Sequence, residues 1–138
     1  MSKTGSDLFK YTSGANAALV QELTNSDAKC NPSDIVGITK DPKGNIVWLE
    51  NGTSSAGLNH ILAEHEGDFN NQGVTTEELP TFILEAVHQG NVVGTQGKGP
   101  RARTVYEFTY EGKPRRVAVQ IGSNGFIVSA NPKSMKGE

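Results

Sequence analysis

The sequence predicts an α+β fold: N-terminal helices packed on one face of a four-stranded antiparallel sheet, with a β-hairpin ahead of them. Three observations lead there. Two stretches in the middle of the chain, "AGLNHILAEHEGDFN" (56–70) and "TTEELPTFILEAVHQG" (75–90), repeat their apolar residues at helical spacing. From residue 91 onward the chain breaks into four short strand-like runs divided by Gly, Pro and Asn. Two apolar runs within 35–49 flank "KDPKGN", a turn with hairpin chemistry.

Taken in order, residues 1–13 are polar and rich in Gly, Ser and Thr, and read as a tail or linker. Leu19, Val20 and Leu23 predict a short helix from Ala15 to about Ala28, which Pro32 then keeps from continuing. Residues 1–34 thus form a tail with one short helix, and 35–138 form the main domain. The hairpin pairs Ile35–Thr39 with Ile46–Leu49. Ser54 or Ser55 is placed to cap the next helix, which runs to about Glu66 and ends at Gly67. The following helix starts with Thr75 and Glu78 at capping-box spacing and Pro80 in its first turn. It buries Phe82, Ile83, Ala86 and Val87, and stops at Gly90. His88, in its last turn, sits where exposed carbonyls favour a protonated imidazole. The strands are 91–96, 103–110, 115–122 and 125–130, joined as a meander. Alternation puts Tyr106, Phe108 and Tyr110 on one face. The opposite face gathers Arg116, Gln120 and Ser129.

Composition narrows the function classes. No run approaches the ~18 apolar residues needed to span a bilayer, and the first twenty residues lack a signal-peptide pattern. With a single cysteine, Cys30, an internal disulfide and a cysteine-based zinc cluster are excluded. The net charge of −2 is unevenly spread. Residues 1–97 hold 5 Lys/Arg against 12 Asp/Glu, whereas 98–138 hold 8 against 3. Six cations, Lys98, Arg101, Arg103, Lys113, Arg115 and Arg116, crowd into nineteen positions. Such segregation suits an anionic partner, although a solvated, charge-mixed surface produces the same count.

His60 and His65 decide the chemistry. Zinc helices place two histidines four apart, on one face; five apart puts them about 140° apart, which argues against a metal site. Leu58, Ile61, Leu62, His65 and Phe69 follow a buried helical stripe, so His65 can be a hydrogen-bonded core histidine, and His60 can pair with Glu64. Alternatively the two imidazoles serve as acid and base around one phosphate. That requires the helix to unwind before Gly67, so that His65 turns back toward His60. Metal-free RNA cleavage then needs cations or N–H donors for the charge on phosphorus, and Lys98, Arg101, Arg103 and the Ser123-Asn124-Gly125 turn are sources of both.

Four pieces, "NIVWLENGTSSAGLNHILAEHEGDF", "LPTFILEAVHQGNVVGTQGKG", "TVYEF" and "VAVQIGSNGFIVSANP", resemble a C-terminal nuclease domain of bacterial polymorphic toxins. Contact-dependent growth-inhibition (CdiA-type) effectors are the best-known carriers, and the architecture is similar to the Barnase–EndoU–colicin E5/D–RelE superfamily. The resemblance covers about Ile35 to Pro132. It implies a metal-independent ribonuclease without cofactors, acting on RNA and foremost tRNA, and a cognate immunity protein that covers the site. It also implies delivery by a secreted or cell-surface effector into a target cell's cytoplasm. His60 and His65 match its helical motif, and Thr104 and Tyr106 match the strand after the basic turn. On this reading the histidines transfer protons, Lys98 and Arg103 stabilise phosphate charge, and Thr104 and Tyr106 position the scissile group. Arg101, Arg115, Arg116, Ser123 and Asn124 then contact RNA. The rival expectation is a binding module whose basic sheet face docks an acidic protein or single-stranded RNA, with Tyr106, Phe108 and Tyr110 as stacking platforms.

Overall fold

A computed structural model describes residues 14–26 and 30–133. The tail read at 1–13 and the expected helix end at Ala28 lie outside the described residues. Three helices, α1 (Gly14–Thr24), α2 (Leu58–Asn71) and α3 (Leu79–Gln89), accompany six strands. These are β1 (Ile35–Lys40), β2 (Ile46–Glu50), β3 (Asn91–Gln96), β4 (Arg103–Tyr110), β5 (Lys113–Ile121) and β6 (Ile127–Lys133). β1 and β2 form the hairpin; β3 to β6 form an antiparallel meander in chain order. The α+β architecture expected from the sequence is the one observed.

The hairpin forms as its turn residues dictate. Asp41 accepts the Lys43 and Asn45 N–H groups through its carboxylate (3.0 and 2.9 Å), while Gly44 takes φ +88°. Both faces are covered. Ile38 and Trp48 pack with Leu23, Leu19 and Val20 of α1, whereas Val47 and Leu49 belong to the main core. Trp48 also joins the hairpin to the larger sheet: its N–H donates to the Gly125 carbonyl at 3.0 Å, and its ring meets Phe126 edge-on at 5.8 Å. Gly125 has φ +102°, and a Cβ there would lie 2.2 Å from the Ile46 carbonyl oxygen. The Ser-Asn-Gly turn is therefore a joint between sheets.

The second helix corrects the expectation twice. Neither Ser54 nor Ser55 caps it; Gly57 does, at φ +95°, and its N–H donates to the Val128 carbonyl of β6 at 2.9 Å. Gly67 does not end it. A mid-helix glycine costs about 1 kcal/mol, but Phe69, fully buried and edge-on to Phe82 at 6.0 Å, anchors one further turn. Gln72 and Gly73 (φ +85°) close the helix instead, returning N–H groups to Phe69 and Asn70 carbonyls.

Before α3 the capping box forms as read: the Thr75 N–H donates to Glu78 Oε2 (2.8 Å) and the Glu78 N–H to Thr75 Oγ1 (3.2 Å). Leu79, Thr81 and Leu84 are buried in addition to the predicted stripe, because α3 lies between the hairpin and the main sheet. His88 is turned from the helix end to β1, where Nδ1–H donates to the Lys40 carbonyl and meets Thr39 Oγ1, both at 3.1 Å.

The Tyr110 hydroxyl donates to Glu78 Oε1 at 2.9 Å, tying α3's start to β4. Burial raises the Glu78 carboxyl, but hydrogen bonds from Thr75 and Tyr110 outweigh it and leave it below the usual range. A carboxylate lowered on folding adds stability that is present above its unfolded pKa and lost as pH falls through the folded value. Glu78→Gln should therefore be less stable than the parent at pH 7, with the gap closing below about pH 4.5 in denaturant titrations. Gly125→Ala should lose at least about 2 kcal/mol in the same assay, from positive φ together with collision against β2.

Candidate functional site

Strand register divides the four-stranded sheet into two chemistries. One face, against the helices, carries Tyr106, Phe108, Val117, Val119 and Ala130. The other carries three rows running across the strands. Asn91, Glu107, Arg116 and Lys133 form the first; Gly94, Val105, Ala118 and Asn131 the second. Gln96, Arg103, Gln120 and Ser129 form the third, since Thr104 opposite Val119 sets Arg103 beside Gln120. The middle row is small and apolar except at its Asn131 end.

This second face is concave. Gln96 and Asn131 lie on the two edge strands, which a flat sheet would hold about 14 Å apart, three strand spacings. Yet Gln96 Nε2 donates to Asn131 Oδ1 at 3.2 Å, and Asn131 Nδ2 to Gln96 Oε1 at 3.3 Å. Only a strongly coiled sheet permits that. Val105 and Ala118 are buried while belonging to neither apolar core. They form the floor of a trough beneath a polar arch.

Arg103 completes the arch, donating from Nη1 to Asn131 Oδ1 at 2.5 Å. Burial lowers its guanidinium pKa, and no carboxylate partners it among the described residues. Arg116, by contrast, is paired with Glu107 through Nε (3.0 Å) and Nη2 (2.9 Å). Ser129 is fully buried, and its Oγ has no hydrogen-bond partner among the described residues. Just beyond the β6 edge, His65, Asp68, Asn71, Gln72, Asn131 and Pro132 line a cleft of about 350 Å³. His65 Nδ1 lies 3.0 Å from Asp68 Oδ2. An ionised carboxylate only accepts, so Nδ1 carries the proton and Nε2 is left to exchange one. Asn131 therefore stands between an oriented imidazole and a guanidinium that has no carboxylate partner among the described residues.

Searches against protein-family models and curated proteins find no match.

Of the residues read from the sequence, Arg103 and Arg116 lie on the concave face, and His65 lines the cleft that reaches Asn131. His60 does not. With α2 unbroken through Gly67, the two histidines project about 140° apart, and the condition for an acid–base pair on this helix is not met. His60 Nδ1 instead donates to the Ser54 carbonyl at 2.8 Å, holding the loop before α2. Thr104 and Tyr106 alternate onto the helix face, opposite Arg103; Tyr106 is buried, and burial, followed by Asp41, raises its hydroxyl pKa. Arg115 is on that face too, its guanidinium 5.6 Å from the centre of the Phe82 ring. Lys98 and Arg101 are exposed in the β3–β4 connection. Ser123 and Asn124 lie in the sheet joint, where Asn124 Oδ1 accepts the Phe126 N–H at 3.1 Å. They border a separate cleft with Cys30 and Glu50. Burial, then Glu50, raises the Cys30 thiol pKa. Among the described residues no three His, Cys, Asp or Glu side chains form a metal-binding group, and no helix is long and apolar enough to cross a membrane.

Sequence reading missed Gln96, Asn131, Asp68 and Glu107. Asn131 was within reach, since it follows Ser129 by two positions and alternation extends to it. Gln96 was not, because its role depends on how far the sheet coils.

Proposed function

We propose that this chain is a metal-independent ribonuclease, with tRNA as its foremost substrate, and that it acts as a toxin domain held inactive by an acidic immunity protein. The observation that carries the reading is Asn131, placed between the Asp68-oriented imidazole of His65 and the unpaired guanidinium of Arg103. Cleavage without metal requires a base to take the ribose 2′-OH proton as that oxygen attacks phosphorus. An acid must then protonate the departing 5′-oxygen, while a cation bears the charge on the pentavalent intermediate. His65 Nε2 supplies one proton transfer, with Asp68 holding its tautomer. Glu107, held by Arg116 on the concave face, is the carboxylate for the other. Arg103 is the cation. Lys98 and Arg101, exposed beside the trough, attract the RNA backbone through long-range charge.

The same basic run favours an acidic partner. β3 offers it a docking edge: Val92 and Val93 are 63% and 48% exposed, and no charged residue guards the strand from Asn91 to Gln96.

Purified protein incubated with tRNA in EDTA should release discrete fragments. His65→Ala should slow that cleavage at least about 100-fold while the protein stays folded by circular dichroism. His60→Ala and Tyr106→Phe should keep most activity, since neither side chain reaches the trough. Undiminished cleavage by His65→Ala would end this assignment. tRNA that is bound but never cut would favour a binding module instead.

A further inference from the structure

We propose that the trough floor contains an oxyanion subsite for a ribonucleotide phosphoryl group, formed by Ser129 Oγ, the Arg103 guanidinium and the side-chain amide of Asn131. Ser129 carries the inference. A buried hydroxyl without a partner is destabilising, and Ser129 is 0% exposed with no partner among the described residues. Alanine would fit without that penalty, as the buried Ala118 does on the same face. The hydroxyl faces the trough, because Ser129 pairs with Gln120 in the row that also holds Arg103.

What converges there is donor-rich. Arg103 has five N–H donors, of which one of the two on Nη1 bonds Asn131 Oδ1. The Asn131 amide donates to Gln96 Oε1 only at the long end of hydrogen-bond range, 3.3 Å, and to the Pro132 carbonyl at 3.2 Å. No carboxylate faces Arg103 among the described residues, and Glu107 is engaged by Arg116. Arg103 N–H groups beyond the one given to Asn131, beside a buried hydroxyl, call for an oxyanion. Phosphate oxygens entering between Gln96 and Asn131 would replace that weak amide bond and reach the Ser129 hydroxyl beneath. The nucleotide assignment rests on the ribonuclease reading; the subsite itself rests on Ser129 and Arg103.

The test pairs stability with binding. In phosphate-free buffer Ser129→Ala should melt no lower than the parent, since it removes an unmet polar group. Calorimetric titration with a nucleoside 3′-monophosphate should show affinity falling about ten-fold in Ser129→Ala, and further in Arg103→Gln. The nucleotide should bind more tightly than inorganic phosphate. Unchanged affinity in Ser129→Ala, or a lowered melting temperature in phosphate-free buffer, would overturn the subsite. Equal affinity for inorganic phosphate would overturn the nucleotide assignment. If the protein cuts no RNA yet binds the nucleotide through Ser129, the ribonuclease reading falls and the subsite stands. If Ser129→Ala cleaves tRNA with unchanged kcat and KM, the subsite falls and the ribonuclease reading stands.

Discussion

Phe82 sits where two helices and two strands meet. Its ring packs edge-on against Phe69 of α2, Phe108 and Tyr110 of β4, and beneath the Arg115 guanidinium of β5. Burying a ring of that size is worth about 1.5–3 kcal/mol, and the aromatic pairs add to it. More important is what the cluster commits. Because side chains alternate along a strand, seating Phe108 and Tyr110 against Phe82 sends Arg103, Val105 and Glu107 to the opposite face. A slip of one residue would exchange the two sets. The core thus decides which polar groups reach the trough.

That constraint also divides the basic run. Arg115 and Arg116 are neighbours in sequence and opposites in space. Arg115 lies over Phe82 near Glu78, whereas Arg116 pairs with Glu107 on the concave face. The run from Lys98 to Arg116 is therefore not one patch. Its cations serve packing, an ion pair and the trough separately, and Arg103 on the concave face is partly buried with no carboxylate partner among the described residues. A cation placed this way interacts with an anion through less water than an exposed one, so a bound anion gains more from it.

Much of this was legible in the sequence, for physical reasons that also explain the misses. Period-2 alternation is local, and it placed Arg116, Gln120 and Ser129 together on the face opposite Tyr106. Turn chemistry is local as well, so the hairpin at Asp41–Asn45 and the capping box at Thr75 and Glu78 were readable. Gly67 misled because helix propensity is weak beside the burial of Phe69, two residues on. The assignment of His60 and His65 as a pair inherited that error. Thr104 and Tyr106 entered through the resemblance, while alternation alone already set Tyr106 apart from Arg116. The meeting of Gln96 with Asn131 depends on accumulated coiling over four strands, which no short window of sequence contains.

On the proposed ribonuclease reading, helix continuity suits the chemistry instead of weakening it. In phosphoryl transfer the attacking and leaving oxygens stand roughly in line on either side of phosphorus. Groups that serve them must approach from different directions, which two side chains on one short helix do poorly. A site shared between α2 and the strands has walls that can face each other. His65 stands at the β6 edge, while Arg103 and Glu107 rise from β4 across the curve of the sheet. Their separation is then set by how α2 docks, through its core residues and through one backbone bond to β6. The extra residue of the β6 bulge, Val128, leaves its carbonyl outside the ladder, where it receives the Gly57 N–H at 2.9 Å. Gly57 can make that bond only because a Cβ, which would sit 2.9 Å from the Glu50 carbonyl oxygen, is missing. A bulge and a glycine thus register the helix that carries the imidazole against the sheet that carries the guanidinium.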